Sequence, residues 1–309
     1  MTYNARLKMT TLPPIMRLIG SKTRQRRNIL PILARYRREL YVEPFGGAGG
    51  LFFGKAPEPA EVYNDKNRAF ASLMRCVRSS EKLDVLERLL ALTPVSRELW
   101  YECKALSYAY MRTEAERFAE LKEAAGLSEY ADDVVGAFAI FYAQNCGFGG
   151  VFLRAFGGGA TGKSSSGTVH VYKMRRELLQ RYCRRLETVL IENVDALECL
   201  DKYDHETTLF YLDPPYITSA PHSDAPEVAY GGCTIDAKEL VARLKRLKGR
   251  FVLSCYDADE YRELADVAER HEFPAFSSTC QYARKDDERV FERVEVVYAS
   301  RLPGTRSLF

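Results

Sequence analysis

"YVEPFGGAGGLFF", residues 41–53, decides the fold. An apolar run of strand length ends in an acid and a proline, passes through four glycines, and gives way to apolar residues able to open a helix. Glycine at such a corner permits a tight turn and lets a ligand approach the backbone closely. Counting from Gly47 places Phe52 where the third glycine of G-x-G-x-x-G belongs, so this is not the dinucleotide fingerprint. About twenty residues further on, "VYNDKN" puts Asp65 at the end of the next strand, where a carboxylate can take both ribose hydroxyls of an adenosine-type ligand. The alternative is a glycine loop with a helix-capping Asp65.

Working outward, strand-like runs recur with helical stretches between them, which predicts an α/β domain with a largely parallel sheet. The runs are "ELYVEP" (39–44), "EVYN" (61–64), "TVLIEN" (188–193), "TLFYLD" (208–213), "RFVLSC" (250–255) and "RVEVVYAS" (293–300). The span before the last run is too short and polar for a full crossover, so an antiparallel edge hairpin is expected there. "KELVARLKRL" (238–247) places Leu240, Val241, Leu244 and Leu247 on one helical face. From 67 to about 140 the chain reads as helix after helix. Residues 147–173, "GFGGVFLRAFGGGATGKSSSGTVHVYK", read as a β-hairpin with a glycine- and serine-rich tip between the alternating runs "VFLRAF" and "TVHVY". The expected organisation is a sheet domain of residues 1–66 and 174–309, split by a helical and hairpin insertion over 67–173.

With 46% hydrophobic and 28% charged residues in 309, the chain has the mix of an ordinary globular protein. No apolar run approaches the roughly 20 residues of a membrane span, and "MTYNARLKMTTLPP" lacks the apolar centre of a signal peptide. Eight cysteines stand singly and four histidines lack ligand spacing, which predicts reduced thiols, a cytoplasmic setting and no metal. Net charge is only +3, but Arg17, Lys22, Arg24, Arg26, Arg27, Arg35, Arg37 and Arg38 precede the first acid of their stretch, Glu39. Lys173, Arg175, Arg176, Arg181, Arg184 and Arg185 form a second basic group. Such clusters suit a polyanion and equally suit solvated helix faces.

"GGGATGKS", residues 157–164, matches the phosphate-loop pattern G-x-x-x-x-G-K-[ST]. A phosphate loop must open a helix, because the phosphates sit on that helix's first amides. Ser164, Ser165, Ser166 and Gly167 follow, then alternating Val169 and Val171, so no helix is expected before about Met174. A nucleotide triphosphatase is set aside on that ground, and a glycine-rich tip whose Lys163 touches a phosphate is the expectation.

The second decisive stretch is "LFYLDPPYI" (209–217). Its strand ends on the side of the sheet where open α/β folds bind ligands. Pro214 and Pro215 fix φ and supply carbonyls without amide hydrogens, holding Asp213 and the Pro214 carbonyl as a stiff pair of acceptors. Tyr216 then offers a flat face. Two acceptors beside an aromatic ring suit an exocyclic NH2 on a stacked heterocycle, and they would localise its lone pair for attack on an electrophilic carbon. A base in duplex DNA reaches such a pocket only by flipping out.

Together, "DPPY" after an apolar strand and "EPFGGAGGLFF" upstream resemble the Dam-type DNA adenine N6-methyltransferases, the D12 class, in the α-group order of glycine motif, long insertion and DPPY. The resemblance implies a Rossmann-like methyltransferase sheet, with the insertion as target-recognition domain. It implies S-adenosyl-L-methionine as cofactor and double-stranded DNA as partner, and it admits a cognate restriction endonuclease acting on the same site. By it, Asp213, Pro214, Pro215 and Tyr216 are catalytic. The glycines Gly46, Gly47 and Gly49 admit the methionine part of the cofactor beside Glu43, Pro44 and Phe45, and Asp65 takes the ribose. "MRLIGSK" (16–22) places Lys22 at the cofactor, and "IENVDALE" (191–198) places Asp195 at its adenine. "YAQNCGFGG" (142–150) resembles the family's recognition stretch, and Arg17, Asn145, Arg154 and Lys163 are the expected DNA contacts. Two departures stand out: Leu18 replaces a frequent aromatic, and "RAFGGGATGKSSSG" replaces the FNxPxG pattern, so no target sequence carries over. Methyl transfer to RNA or to a protein amide, and a silent DNA-binding relative, are the competing readings.

Overall fold

The computed structural model describes residues 11–158, 162–215, 235–275 and 293–302. Seven strands form one sheet: β1 (Leu40–Glu43), β2 (Glu61–Asn64), β3 (Val189–Glu192), β4 (Thr208–Leu212), β5 (Arg250–Tyr256), β6 (Ala268–Ala275) and β7 (Arg293–Ser300). Their order across the sheet is β3-β2-β1-β4-β5-β7-β6. The first five run parallel, and β7 inserts antiparallel between β5 and β6. This is the mostly parallel α/β sheet with an antiparallel edge that the sequence leads one to expect. The edge strand β6 carries Pro274, which only an edge tolerates because proline cannot complete a ladder.

Alternate strand residues face two separate cores. Tyr41, Tyr63, Leu209, Tyr211, Val252 and Val297 belong to one. Val42, Val62, Phe210, Leu212, Phe251, Leu253 and Val296 belong to the other. Period-2 side chains on a sheet covered on both faces give near-continuous apolar runs, which explains why the strands are so legible. The helix α1 (Arg26–Leu33) lies on the first face.

Between β2 and β3 lie α2 (Arg68–Arg78), α3 (Ser80–Leu92), α4 (Arg97–Met111), α5 (Ala115–Ala124), α6 (Asp132–Asn145), α7 (Gly162–Glu177) and α8 (Leu179–Leu186). The helix α6 is buried from Val134 through Asn145 and forms the centre of this group, packing on α2, α3, α4 and α7. Trp100 donates its indole N–H to the Ala143 carbonyl at 2.8 Å, and Tyr142 its hydroxyl to Pro94 at 2.7 Å. After β3 come α9 (Ala196–Tyr203), α10 (Ala237–Leu244) and the single turn α11 (Asp259–Arg262). Of these, α9 and α10 cover the second face, with Leu240, Val241 and Leu244 inward as their spacing predicts. None of the helices is long and apolar enough to cross a membrane, among the described residues.

One expectation is overturned. Among the described residues of 147–173 there is no hairpin: an antiparallel bridge joins Gly147 to Phe156, and "TVHVY" lies in helix α7. Thr168, Tyr172, Arg175 and Leu179 recur at helical spacing and are all buried, whereas Val169 is half exposed. Thr168 donates its hydroxyl to Gly157, and Tyr172 donates its hydroxyl to Leu90. Burial of the helical stripe overrides the strand-like alternation of Val169 and Val171. A helix opening at Gly162 also removes the ground on which "GGGATGKS" was set aside as a phosphate loop. What excludes it instead is the lead-in, because a phosphate loop is fed by a strand and residues 151–158 form turns and one bridge.

Candidate active site

Strand order reverses between β1 and β4, and open α/β sheets bind ligands at the carboxyl ends beside such a switch point. The register pairs Val42 with Phe210, which brings Glu43 and Pro44 alongside Tyr211, Leu212 and Asp213. A cleft of about 1050 Å³, counting space open to solvent, lies there. Of the residues expected at the cofactor, Lys22, Glu43, Pro44, Phe45, Gly46, Gly47, Asp65 and Asp195 line it, together with Asp213, Pro214 and Pro215. Gly49 is not among the lining residues; its φ is +69°, and a Cβ there would drive into the Phe53 ring. Tyr216 lies outside the described residues.

The glycine turn rests on an aromatic bed. Phe52 meets Tyr63 edge-on at 5.9 Å between ring centroids, and Phe53 meets Tyr182 at 4.8 Å. A Cβ on Gly46 would enter the Tyr63 ring, and Gly47 takes a φ of +51°. The Tyr63 hydroxyl donates to the Gly47 carbonyl at 2.5 Å. Asp65 accepts the Gly47 and Asn67 amides, each at 2.7 Å, so it ties the turn to the start of α2. Burial pushes its carboxyl up to about 6, against the pull of these two amides. The α2 cap itself is Asn67, whose side chain accepts from Ala69. Asp195 caps α9 by accepting from Leu197, and it pairs with Lys66 at 2.9 Å.

Two residues that the sequence reading missed lock these turns together. The Asn64 side chain donates to the Pro44 and Val194 carbonyls and accepts the Val194 amide. Asn193 donates to the Asp65 carbonyl. An asparagine just before the acid in "YND" is the sequence signal for the first, since a short amide at a strand end can bridge neighbouring turns.

Charge at the cleft floor is concentrated and buried. Lys22, only 4% exposed, pairs with Asp213 at 2.9 Å and with Glu295 at 3.4 Å, and it donates to the Gly20 carbonyl at 3.2 Å. Burial pushes the Glu43 carboxyl up to about 8, although the Tyr41 hydroxyl donates to it at 2.6 Å. Glu295 and Ser254 also escaped the sequence reading, because only the β5–β7 pairing brings them to Lys22.

The expected DNA contacts fall in two groups. Arg17 is half-buried; its amide donates to the Asn145 side chain at 3.3 Å and its guanidinium reaches the Gly147 carbonyl. Asn145 is fully buried and donates to the Phe141 carbonyl, so it holds segment 17–19 rather than facing solvent. Arg154 is exposed. Lys163 falls in the first turn of α7, and its side chain lies outside the described residues. Gln144 donates to the Arg17 and Gly150 carbonyls, and Ile19 donates its amide to Gly150. Loop 146–158 is thereby stitched to the segment that leads into Lys22.

Among the described residues no group of three or more His, Cys, Asp or Glu side chains is placed to hold a metal ion. The cleft lining carries four acids, Glu43, Asp65, Asp195 and Asp213, with Lys22 and Lys66 as its cations and Leu18, Phe45, Phe70 and Phe152 as apolar walls. Such a lining offers acceptors for a polar ligand and apolar walls for a flat ring. A comparison with curated proteins gives no match. Over residues 18–279 the chain matches the family model of D12 class N6 adenine-specific DNA methyltransferases.

Proposed function

The chain belongs to the D12 class of N6 adenine-specific DNA methyltransferases, and on that premise we propose that it methylates the N6 amino group of an adenine flipped out of a specific duplex sequence. The observation that carries the proposal is the junction of β1 and β4, where the glycine turn and Asp213 share one acid-lined cleft. S-adenosyl-L-methionine fits this lining: Glu43 suits a cationic group, Asp65 and Asp195 suit hydroxyls and an amino group, and Gly46 and Gly47 leave room for close approach. When bound, the cofactor supplies an electrophilic methyl group on a positively charged sulfur.

The chain's own residues do the positioning. Asp213 and the Pro214 carbonyl accept the two amino hydrogens of the target base, which localises the nitrogen lone pair toward the methyl group. Pro214 and Pro215 keep these acceptors from rotating, and Lys22 holds Asp213 from behind. Tyr216 stacks on the base. The step is a direct displacement that gains from orientation and fixed electrostatics rather than from a covalent intermediate. Helices α2–α7 with loop 146–158 form the target-recognition region, with Arg17, Arg154 and Lys163 toward DNA and Asn145 bracing the segment that carries Arg17. The hydrogen bonds from Gln144 and Ile19 support this reading, because they join the recognition loop to the cleft wall.

The test is tritiated S-adenosyl-L-methionine with unmethylated duplex DNA, wild type beside Asp213→Ala. Label is expected in N6-methyladenine, with a loss of at least ~10²-fold in the variant, the scale for removing a key transition-state contact. Label in RNA or protein, or an undiminished variant, overturns the proposal.

A further inference from the structure

We propose that Glu295, oriented by Ser254, is a positioning residue that fixes the Asp213 carboxylate through Lys22. The inference rests on the methyltransferase reading for what Asp213 does. Its geometry stands without that reading.

Glu295 lies in β7 opposite Tyr256 of β5, and it is only 4% exposed. A buried ionised side chain is costly unless paired and hydrogen-bonded. Here the Ser254 hydroxyl donates to Oε1, and the Lys22 ammonium sits 3.4 Å from the same oxygen. A lysine ammonium has three protons to place. Among the described residues Lys22 faces the Gly20 carbonyl at 3.2 Å, Asp213 Oδ1 at 2.9 Å and Glu295 Oε1 at 3.4 Å. Only the first is local. With Glu295 in place the ammonium has a fixed seat, and Asp213 is held against something that does not move.

A second consequence follows from charge. One cation shared between two carboxylates neutralises neither completely, so Asp213 stays a strong acceptor for an amino group. Replacing Glu295 by its isosteric amide would remove the second anion, so the ammonium loses its fixed seat and Asp213 the partner that holds it, even though packing is unchanged. A merely structural glutamate would not show this signature.

The experiment uses the full chain with duplex DNA and tritiated cofactor. Glu295→Gln is expected to lower kcat by about 10-fold or more while KM for DNA and cofactor stays within about threefold, the pattern of an interaction realised in the transition state. Ser254→Ala is expected to show a smaller loss of the same kind. In a Lys22→Met background Glu295→Gln should cost no further activity, since coupled residues are non-additive. Acetic anhydride labelling read by mass spectrometry gives a measure independent of activity: Lys22 is expected to be protected in wild type and labelled in Glu295→Gln. An unchanged kcat, additive variants, or equal protection of Lys22 in both proteins overturns the proposal. Should wild type methylate no adenine, the functional reading fails, while the labelling still decides the seat of Lys22.

Discussion

Two glycine-rich corners of this molecule are made of similar letters and behave differently. "FGGAGG" (45–50) follows β1, whose parallel register with β2 and β4 fixes where it points, and an aromatic bed supports it from below. "GFGGVF" (147–152) follows helix α6 and is held by hydrogen bonds to the segment 17–19. In the first corner the small side chains make room for rings on one side and a ligand on the other. In the second they permit backbone shape: Gly149 and Gly150 take φ of +65° and +79°, and a Cβ on Gly149 would meet nothing within 4 Å. A glycine run therefore says little alone. What feeds it, and what it lies against, decides whether it is a pocket wall or a loop tied down by its carbonyls.

The sharpest way to break this contrast is Gly46→Ala. Its methyl group has no space beside Tyr63, so a loss of about 1–3 kcal/mol is expected from overpacking, measured by denaturant unfolding. Weaker cofactor binding should accompany it in calorimetry. Full stability with normal cofactor affinity would show that the ring yields and the turn is not a fixed wall.

Next in size is the pH response of the same wall. The folded-state carboxyl of Glu43 stands at about 8, above its ordinary 4.5, and burial is the main cause. Its contribution to stability is therefore complete below about 4.5 and is lost as pH rises through about 8. A bound cation favours the ionised form, so cofactor affinity should rise with pH and level off above about 8, by no more than about tenfold per pH unit for one proton. Glu43→Gln should flatten both curves. Profiles of wild type and variant that run parallel would place the titration elsewhere.

The smallest effect belongs to the second corner. Gly149→Ala meets no neighbour and suffers only from its positive φ, so about 1 kcal/mol or slightly more is expected, with cofactor binding unchanged. Equal costs for Gly46→Ala and Gly149→Ala would erase the distinction drawn here.

The same contrast explains what could be read from the sequence. The inner strands announced themselves because a sheet covered on both faces makes them apolar, and the order of motifs placed Glu43 beside Asp213. The run "TVHVY" misled because two valines at alternate positions serve a strand and a helix equally, and the choice lay with Gly157 and Leu90, which accept from Thr168 and Tyr172. Edge strand β6, with its proline, carries no apolar run to betray it. The place of Asp65 at the end of β2 was legible, but not its grip on the Gly47 amide. Glu295 could not be found in "RVEVVYAS", where a single acid among apolar residues looks like any solvent-facing position. Its meaning depends on a lysine that lies near the other end of the described chain.

That separation bears on how the molecule is made. Lys22 leaves the ribosome long before β7, yet β7 brings one of the two carboxylates at its ammonium and slots between β5 and β6. The Tyr36 hydroxyl likewise waits to donate to the Ser300 carbonyl. Contacts spanning so much chain form late, because loop closure has to come first. A nascent chain can hold its glycine turn and its paired prolines and still lack a seated lysine. Synthesis of the last strand thus completes the floor of the cleft, and a half-made copy carries the motif without the means to use it.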